Sequence, residues 1–491
     1  MILPVLADAE KLASRGNIIP LYTTILADTE TPVSIWLKLF RDEPYSFLLE
    51  SVTGNDTVAR YSFIGGNPFM TFKVNKGSWE FTGEYNEHGD DRPLEKLREI
   101  MAGFKPVAVP GLPRFCGGAV GFFSYDSVRL RENIPDSNPD DSFCDDIFLG
   151  FYKDLIVFDN KEHKLLLIAN IFTDSNDDFE SVYKDAVYRL GKIQDKMAVR
   201  LASSHISIEQ IDEPESNFER KEYEKAVEQC KEYIRAGDIF QVVLSQRFSL
   251  GVKSDPFDLY RILRTVNPSP YMYYLSCGDA SIIGASPEML VRVEDGVVET
   301  RPIAGTRPRG KDEHEDDLLA EELKKDPKEI AEHVMLVDLG RNDLGRVCEF
   351  GSVKAEDMIH IEKYSHVMHL VTNVSGTLKR ECDALDALFS CFPAGTLSGA
   401  PKIRAMEIID ELETLRRGIY GGALGYIDFS GNLDSCIIIR TILHKNNTAY
   451  IQAGAGIVAD SVPWREYDET VNKAMALFTA IRNAREIIGE K

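Results

Sequence analysis

Two pairs of glutamates stand at positions where they could bind a metal ion. Glu329 and Glu332 follow Asp326 and a proline, the pattern of a capped helix start, so both carboxylates lie on one face of that helix. Glu466 and Glu469 repeat this spacing after another proline. Carboxylates from two converging helices could bind Mg²⁺, which completes its ligand shell with water and an anionic substrate. The helix dipole also favours acidic residues at helix starts without a metal, and the spacing does not decide between these alternatives.

Two further segments carry residues suited to an anionic ligand. Residues 300–310 hold three arginines among rigid turn residues, and guanidinium groups bind carboxylates well. Residues 392–402 form a loop of small residues ahead of a predicted helix over 403–412, whose N-terminus could bind an anion. The ordinary alternatives are a solvated loop for the first segment and close packing for the second. His369 lies in a strand-like run, where a histidine is more often a satisfied core residue.

The glycine-rich residues 454–459 match the dinucleotide fingerprint G-x-G-x-x-A in their letters. That fingerprint belongs to a βαβ unit, and the 32 residues after Ala459 read mostly as one helix, with no second parallel strand. No G-x-x-x-x-G-K-[ST] pattern is present. We therefore expect a tight turn at 454–456 whose backbone amides face an anion, and no nucleotide site.

The elements that must position these residues fall into two parts. Short β-type runs separated by turn residues predict antiparallel hairpins in residues 1–201, ended by a helix at 178–198. Residues 202–217 are polar, lack an amphipathic period and are the predicted linker. Residues 218–491 begin with an amphipathic helix that stops at Gly237 and then mix strands and helices irregularly. This order predicts an α+β protein, with a β-rich N-terminal domain packed on a larger α+β domain of antiparallel sheets and helices.

Composition excludes several classes of protein. The 491 residues include 79 acidic and 56 basic ones, a net charge of −23, which disfavours nucleic-acid binding. No apolar run approaches the roughly 20 residues that span a bilayer, and the first residues lack the pattern of a signal peptide. The eight cysteines are dispersed without a C-x-x-C pair, as is typical of reduced thiols. We expect a soluble, acidic, cytoplasmic protein.

Five segments together resemble signatures of the chorismate-utilising enzymes. They occur in the family's order across about residues 218–485, and the N-terminal part resembles the family's own N-terminal domain. The matching segments are 284–290 (GASPEML), 301–310 (RPIAGTRPRG), 332–344 (EHVMLVDLGRNDL), 392–402 (FPAGTLSGAPK) and 454–460 (GAGIVAD). Residues 218–491 are accordingly identified as the chorismate-binding catalytic domain.

The resemblance implies a reaction and a set of residues that carry it. Chorismate and ammonia would give aminodeoxyisochorismate, which loses pyruvate to form anthranilate, the first step of tryptophan biosynthesis. Glu332 and Glu469 would be the Mg²⁺ ligands, supported by Glu329 and Glu466. Glu288 would be the acid that assists departure of the substrate hydroxyl. The residues implied to bind chorismate are Gly305, Thr306, Tyr420, Arg440, Gly454, Ala455 and Gly456, and those implied in catalysis also include His369, Thr396 and Gln241.

Two positions bear on which reaction of the family is catalysed. Aminodeoxychorismate synthases of the folate pathway typically carry a lysine where this chain has Ala304, which cannot act as a nucleophile. Isochorismate-forming members carry a lysine base where this chain has Gln241, which can orient ammonia but cannot deprotonate water. Both positions favour anthranilate as the product. Aminodeoxychorismate synthase remains the main enzymatic alternative, and a non-catalytic tryptophan sensor is a further one.

The resemblance also implies an inhibitor site and a partner. Residues 48–51 and 267–274 resemble the two halves of the family's tryptophan site, so Ser51, Pro270, Tyr271 and Met272 would line it; the alternative is a buried strand and a proline turn. No G-x-C-x-G glutaminase motif is present. A separate glutamine amidotransferase subunit is therefore expected to supply ammonia, in a heterotetramer of two large and two small subunits.

Overall fold

The computed structural model describes residues 1–52, 60–141, 144–174, 178–201, 206–364 and 367–487. Within these ranges the helices, in chain order, are α1 Leu6–Ala13, α2 Pro32–Leu39, α3 Pro93–Ala102, α4 Phe179–Met197, α5 Arg220–Ala236, α6 Pro256–Val266, α7 Glu313–Leu323, α8 Pro327–Val347, α9 Ala384–Cys391, α10 Lys402–Leu412 and α11 Pro463–Ile487. Two 3-10 helices cover Tyr125–Leu130 and Gly395–Leu397. No helix among the described residues is long and apolar enough to cross a membrane.

The strands form two large sheets. In chain order they are β1 Ile18–Leu26, β2 Tyr45–Glu50, β3 Tyr61–Gly66, β4 Met70–Asn75, β5 Ser78–Gly83, β6 Glu87–Gly89, β7 Gly118–Phe123, β8 Ile147–Tyr152, β9 Asp154–Asp159, β10 Lys164–Phe172, β11 Ile208–Ile211, β12 Glu215–Ser216, β13 Gln241–Ser254, β14 Tyr271–Cys277, β15 Ala280–Ser286, β16 Met289–Glu294, β17 Val297–Thr300, β18 Ile303–Pro308, β19 Lys354–Lys363, β20 Val367–Thr377, β21 Gly399–Ala400, β22 Ala423–Asp428, β23 Leu433–Ile437, β24 Thr441–Lys445 and β25 Thr448–Ile457.

Strands from both predicted domains enter both sheets. The first sheet has the order β1-β10-β9-β3-β2-β14-β15-β24-β25-β13-β11, and β12 and β21 also pair with β13. The second has the order β18-β20-β17-β16-β23-β22-β7-β8-β4-β5-β6, with β19 on β20. The crossing points are β2 on β14 in the first sheet and β7 on β22 in the second. The N-terminal part is thus joined to the rest by continuous backbone hydrogen bonding.

The architecture confirms the predicted fold class. Antiparallel pairing joins the strands described in both sheets, and helices pack on their faces, as expected for an α+β protein. The predicted linker contributes β11 and β12, which lie along β13; residues 202–205 fall outside the described ranges. The exact domain boundary stays a prediction.

Local sequence signals account for the helix ends. Helix α5 stops at Gly237, whose φ of +85° is the left-handed conformation that glycine adopts without strain. Helix α4 matches the predicted helix at 178–198, and α10 the predicted helix at 403–412. Helices α8 and α11 both begin at a proline, as the spacing predicts.

Aromatic side chains fill the main core where the two parts of the chain meet. Trp36 of α2 stacks on Phe257 of α6 with a centroid separation of 3.7 Å, and Tyr274 of β14 packs edge-on against Trp36. All three side chains are buried. Burying such a side chain stabilises the fold by roughly 1.5–3 kcal/mol, so this contact holds β14 firmly in place.

Candidate active site

The first turn of helix α8 lies against strand β18. Asp326 caps the helix, because its carboxylate accepts hydrogen bonds from the N–H groups of Lys328 and Glu329 at 3.0 and 3.3 Å. Gly305 lies at a register shift between β18 and β20 and has a φ of +64°. A Cβ at Gly305 would lie 3.1 Å from Oε2 of Glu329. Glycine therefore lets the predicted substrate-binding segment approach the carboxylate-bearing helix.

His369 and Thr306 are paired across β20 and β18. Nδ1 of His369 lies 2.8 Å from the carbonyl oxygen of Gly305 and 3.1 Å from Oγ1 of Thr306. A carbonyl oxygen only accepts, so Nδ1 carries the proton in that hydrogen bond. Burial lowers the pKa of His369, so the ring is neutral at pH 7 and Nε2 is the nitrogen that can accept a proton.

Glu288 lies in the connection between β15 and β16 and is the candidate acid. Thr396, in the 3-10 helix Gly395–Leu397, donates a 3.1 Å hydrogen bond from Oγ1 to Oε1 of Glu288. Burial raises the pKa of Glu288 to about 7, although the Thr396 hydrogen bond and the charge of Arg440 act to lower it. The carboxyl group is therefore about half protonated near neutral pH, which suits a general acid.

Arg440 lies just before β24 with a φ of +50°. Its carbonyl oxygen accepts a hydrogen bond of 3.2 Å from the N–H of Ala285 on β15. Burial lowers the pKa of its guanidinium, which nevertheless stays charged at neutral pH. A guanidinium near a half-protonated carboxyl group is only partly neutralised, and the Arg440 residue remains accessible to solvent, so it is suited to bind a carboxylate of the substrate.

The predicted tight turn at 454–456 is wrong, because these residues belong to strand β25. Gly454, Ala455 and Gly456 pair in register with β13, and neither glycine has a positive φ. The glycines serve close side-chain packing instead. A Cβ at Gly454 would lie 2.8 Å from the hydroxyl oxygen of Tyr420, and one at Gly456 would lie 2.7 Å from Nε2 of Gln241. The segment is thus the strand against which Tyr420 and Gln241 lie.

The backbone of β25 can still direct an N–H group toward an anionic ligand, as expected for residues 454–456. Gly454 and Gly456 pair with Ser245 and Val243, whose N–H groups bond to Oε1 of Glu413 and to the carbonyl of Ser398. These are therefore non-hydrogen-bonded pairs, in which the N–H groups of both glycines point away from β13. On that side, the last pair described between β25 and β24 is at Ile451. The N–H of Gly454 donates to the Tyr420 hydroxyl oxygen, so Gly456 supplies the backbone donor that can face a ligand.

The predicted metal ligands lie at the starts of α8 and α11. Burial raises the pKa of Glu332, and the negative charges of Glu329 and Glu469 raise it further. Burial also raises the pKa of Glu466. Glu469 forms a 2.6 Å ion pair with Lys473, whose Nζ also donates to the carbonyl of Gly454 at 2.9 Å.

These carboxylates have the oxygen chemistry of an Mg²⁺ site without forming a closed cluster. A cation would relieve the repulsion that raises the pKa of Glu332. Among the residues that the structure describes, however, no group of three or more His, Cys, Asp or Glu side chains is arranged to hold a metal ion. Glutamates whose charges act on one another without forming a closed group are compatible with an ion that completes its shell with water and substrate.

Comparisons with known proteins identify the family of this chain. A family model described as chorismate binding enzyme matches residues 45–479. The chain belongs to this family. It is 50% identical to anthranilate synthase component 1 of Acetivibrio thermocellus, with 99% of this chain and 100% of that protein covered. It is 48% identical to the protein of that name from Aquifex aeolicus, with 98% of each chain covered. The crystal structure of anthranilate synthase component I from Streptococcus pneumoniae is 40% identical, covers 92% of this chain and 98% of its own, and has a TM-score of 0.75.

In this chorismate-binding enzyme a cavity that contains none of the active-site residues named above, here called the second cavity, lies between the two parts of the chain. Its volume is about 550 Å³, including space open to solvent, and its lining includes Ser51, Pro270, Tyr271 and Met272. Met272 pairs with Glu50 across β14 and β2, and the N–H of Val52 donates to the carbonyl of Ser269 at 3.3 Å. The four residues predicted to bind tryptophan are thus brought together at one cavity.

Sequence reasoning missed the charged residues of this cavity. Asp434 accepts hydrogen bonds from Tyr271 at 3.1 Å, from Arg292 at 3.1 Å and from Arg114 at 3.0 Å. All four residues line the cavity, which therefore offers cationic and anionic groups together. They come from four separate segments of the chain, so no local motif could have grouped them. Only the two-sheet topology brings them together.

Proposed function

We propose that this chain converts chorismate and ammonia into anthranilate and pyruvate, as the large subunit of a two-component lyase in tryptophan biosynthesis. Its full-length relatives named anthranilate synthase component 1 support this proposal. The observation that carries it is Glu288, a partly buried carboxyl group with a pKa of about 7, hydrogen-bonded to Thr396. Departure of a hydroxyl group from chorismate requires an acid that still holds its proton near neutral pH.

The first step forms a carbon–nitrogen bond and breaks a carbon–oxygen bond. Ammonia, oriented by Gln241, adds to the ring, and the ring hydroxyl leaves as water with the proton of Glu288. The proton lost by the new ammonium group returns to the Glu288 carboxylate, which leaves aminodeoxyisochorismate. Ala304 lies in β18 and provides no amine that could compete with ammonia as the nucleophile.

The second step is an elimination that makes the ring aromatic. His369 is neutral, and its Nε2 can take the ring proton while the carbon–oxygen bond to the enolpyruvyl group breaks. That proton ends on the methyl carbon of pyruvate. Arg440, Tyr420, Thr306 and the backbone at 454–456 hold the substrate, with the N–H of Gly456 directed away from β13.

We infer that the enzyme is Mg²⁺-dependent. Glu332 and Glu469 would hold the ion, with Glu329 and Glu466 in support. When bound, Mg²⁺ supplies positive charge that binds a substrate carboxylate, which an acidic protein needs. The like-charge repulsion that raises the pKa of Glu332 supports this assignment.

Ammonia is proposed to come from a separate glutamine amidotransferase subunit, in a heterotetramer of two large and two small subunits. A glutaminase of the cysteine type needs a thiolate nucleophile. Burial raises the pKa of all eight cysteines of this chain, for Cys116 to about 12, so none is activated. All eight are free, which fits the proposed cytoplasmic location.

The cavity at Ser51 and Met272 is proposed to bind tryptophan as a feedback inhibitor. An apolar and aromatic lining suits the indole ring, and the Asp434–Arg292–Arg114 group offers partners for the amino and carboxylate groups. A bound amino acid would contact residues from both parts of the chain.

Product analysis tests the central proposal. The purified chain with chorismate, MgCl₂ and an ammonium salt is expected to form fluorescent anthranilate and an equal amount of pyruvate. With glutamine as the nitrogen source, product should form only after the amidotransferase subunit is added. The main product 4-amino-4-deoxychorismate would assign the chain to the aminodeoxychorismate synthases, and isochorismate would also refute the proposal.

A further inference from the structure

A buried ion pair lies behind the predicted substrate-binding residues. Arg417 and Glu413 are four residues apart, after helix α10, and their side chains are only 1% and 3% exposed. Nε and Nη2 of Arg417 donate to Oε2 and Oε1 of Glu413 at 2.9 and 2.6 Å. The Glu413 carboxylate also accepts hydrogen bonds from N and Oγ of Ser245, both at 2.8 Å. A buried charge pair of this kind is costly to desolvate, so its hydrogen bonds must compensate.

The remaining donors of Arg417 reach two segments that carry site residues. Nη1 donates to the carbonyl of Leu397 at 2.6 Å, one residue after Thr396. Nη2 donates to the carbonyl of Val243 at 2.7 Å, on the strand that begins with Gln241. The N–H of Val243 bonds to Ser398 in the same turn. Arg417 thereby links β13 to the 3-10 helix, in addition to the short pairing between β13 and β21.

The guanidinium plane also contacts the third element of the site. Its Cζ lies 5.6 Å from the ring centroid of Tyr420 and 4.6 Å from that of Tyr125. Tyr420 forms a hydrogen bond with the backbone of Gly454. One cation therefore touches the segments that place Thr396, Gln241 and Tyr420, which the chain supplies from three separate regions.

We propose that Arg417, held by Glu413, is a positioning residue for the substrate site, and that it sets Thr396, Gln241 and Tyr420 relative to one another. This inference rests on the proposed function. Arg417 need not touch chorismate. Its planar fork can serve two carbonyls and a carboxylate at once, whereas a lysine ammonium in the same place cannot span them.

The test compares Arg417→Lys with a matched variant, Arg189→Lys. Arg189 of α4 likewise has three partners, which are the carboxylates of Asp154 and Asp185 and the carbonyl of Asn170. Asp154 lies on β9, seven strand spacings or about 34 Å from β13 along the first sheet. We expect kcat/KM for chorismate to fall about 10- to 100-fold in Arg417→Lys and less than about twofold in Arg189→Lys, measured per folded protein by circular dichroism.

A pH profile separates positioning from mere stability. Displacing Thr396 weakens the hydrogen bond that lowers the pKa of Glu288, so the basic limb of the Arg417→Lys profile should move to higher pH. A lower melting temperature with unchanged kcat/KM and an unchanged limb would overturn the inference. If Arg417→Lys does not fold, Ser245→Ala is tested instead, because this change removes the hydroxyl donor to Glu413 and keeps the backbone hydrogen bond. A kcat/KM of Ser245→Ala equal to that of the parent would then refute the inference. Failure of the parent to make anthranilate would instead refute the proposed function.

Discussion

Glu288→Gln is the sharpest perturbation of the proposed mechanism. The amide keeps the shape of the side chain and an oxygen that can accept the Thr396 hydrogen bond, but it cannot give a proton. General acid catalysis typically contributes about 10²- to 10⁴-fold, so we expect kcat to fall by at least about 100-fold. The exposed Glu321→Gln, which changes the same group on α7, is the control and should keep full activity.

The pH dependence of the parent enzyme gives a second measure of the same group. With a pKa of about 7, the protonated fraction of Glu288 is about 0.9 at pH 6, 0.5 at pH 7 and 0.09 at pH 8. Turnover should therefore decline about tenfold per pH unit above 8. Anthranilate fluorescence is recorded at a fixed concentration of free ammonia, because ammonia itself titrates. A turnover that stays level to pH 9, or Glu288→Gln with more than a tenth of parent activity, would contradict the role of Glu288 as acid.

The stability of the fold should also depend on pH through Glu288. The folded-state pKa of Glu288 lies above its ordinary value of 4.5, so the folded protein holds this proton more tightly than the unfolded chain does. The free energy of unfolding therefore falls as pH rises from about 4.5 to 7. With a pKa of about 7 in the folded state and 4.5 in the unfolded chain, the free energy of unfolding should fall by about 3 kcal/mol across this pH range. Glu288→Gln lacks this loss of stability. The melting temperature of the variant minus that of the parent should therefore be larger at pH 8 than at pH 4. A variant that is inactive yet more stable at pH 8 excludes misfolding as the cause.

The other predictions concern the metal, the elimination step and the inhibitor. Glu332→Gln and Glu469→Gln should each remove most activity and raise the Mg²⁺ concentration needed for half-maximal rate, without a change in circular dichroism; an unchanged Mg²⁺ requirement would return them to ordinary helix-start carboxylates. His369→Ala should release aminodeoxyisochorismate instead of anthranilate, as chromatography of the products would show. Ser51→Phe should fill the second cavity and relieve tryptophan inhibition while leaving uninhibited turnover nearly unchanged, and equal inhibition in variant and parent would place the effector elsewhere.

Much of the fold was predictable because the signals are local. Asp326 with a following proline fixes the start of α8, and Gly237 fixes the end of α5, since capping and left-handed glycine depend only on near neighbours. The strand containing His369 follows in the same way from its run of apolar residues.

Non-local contacts explain what the sequence did not show. The glycines at 454 and 456 predict a turn from the sequence. In the structure they leave space for the side chains of Tyr420 and Gln241, which come from distant segments of the chain. Arg417 likewise belongs to no recognisable sequence motif, and only the folded chain brings the carbonyls of Val243 and Leu397 to its donors. Partners at large sequence separation are invisible to spacing arguments.

The same topology connects the second cavity with Glu288 by a short route. Tyr271 and Met272 pair directly with Ser286 and Ala285 across β14 and β15, and Glu288 follows two residues after Ser286. The N–H of Ala285 donates to the carbonyl of Arg440. A ligand that displaces β14 can therefore act on Glu288 and Arg440 through the β14–β15 hairpin.

Coupling through this hairpin must be reciprocal, which gives the last prediction. If tryptophan weakens chorismate binding by a factor typical of such coupling, about 5- to 150-fold, saturating chorismate must weaken tryptophan binding by the same factor. Both affinities can be measured by calorimetry in Glu288→Gln, which does not turn chorismate over. Equal factors are expected. If neither ligand changes the affinity of the other, the two sites are not coupled through this hairpin.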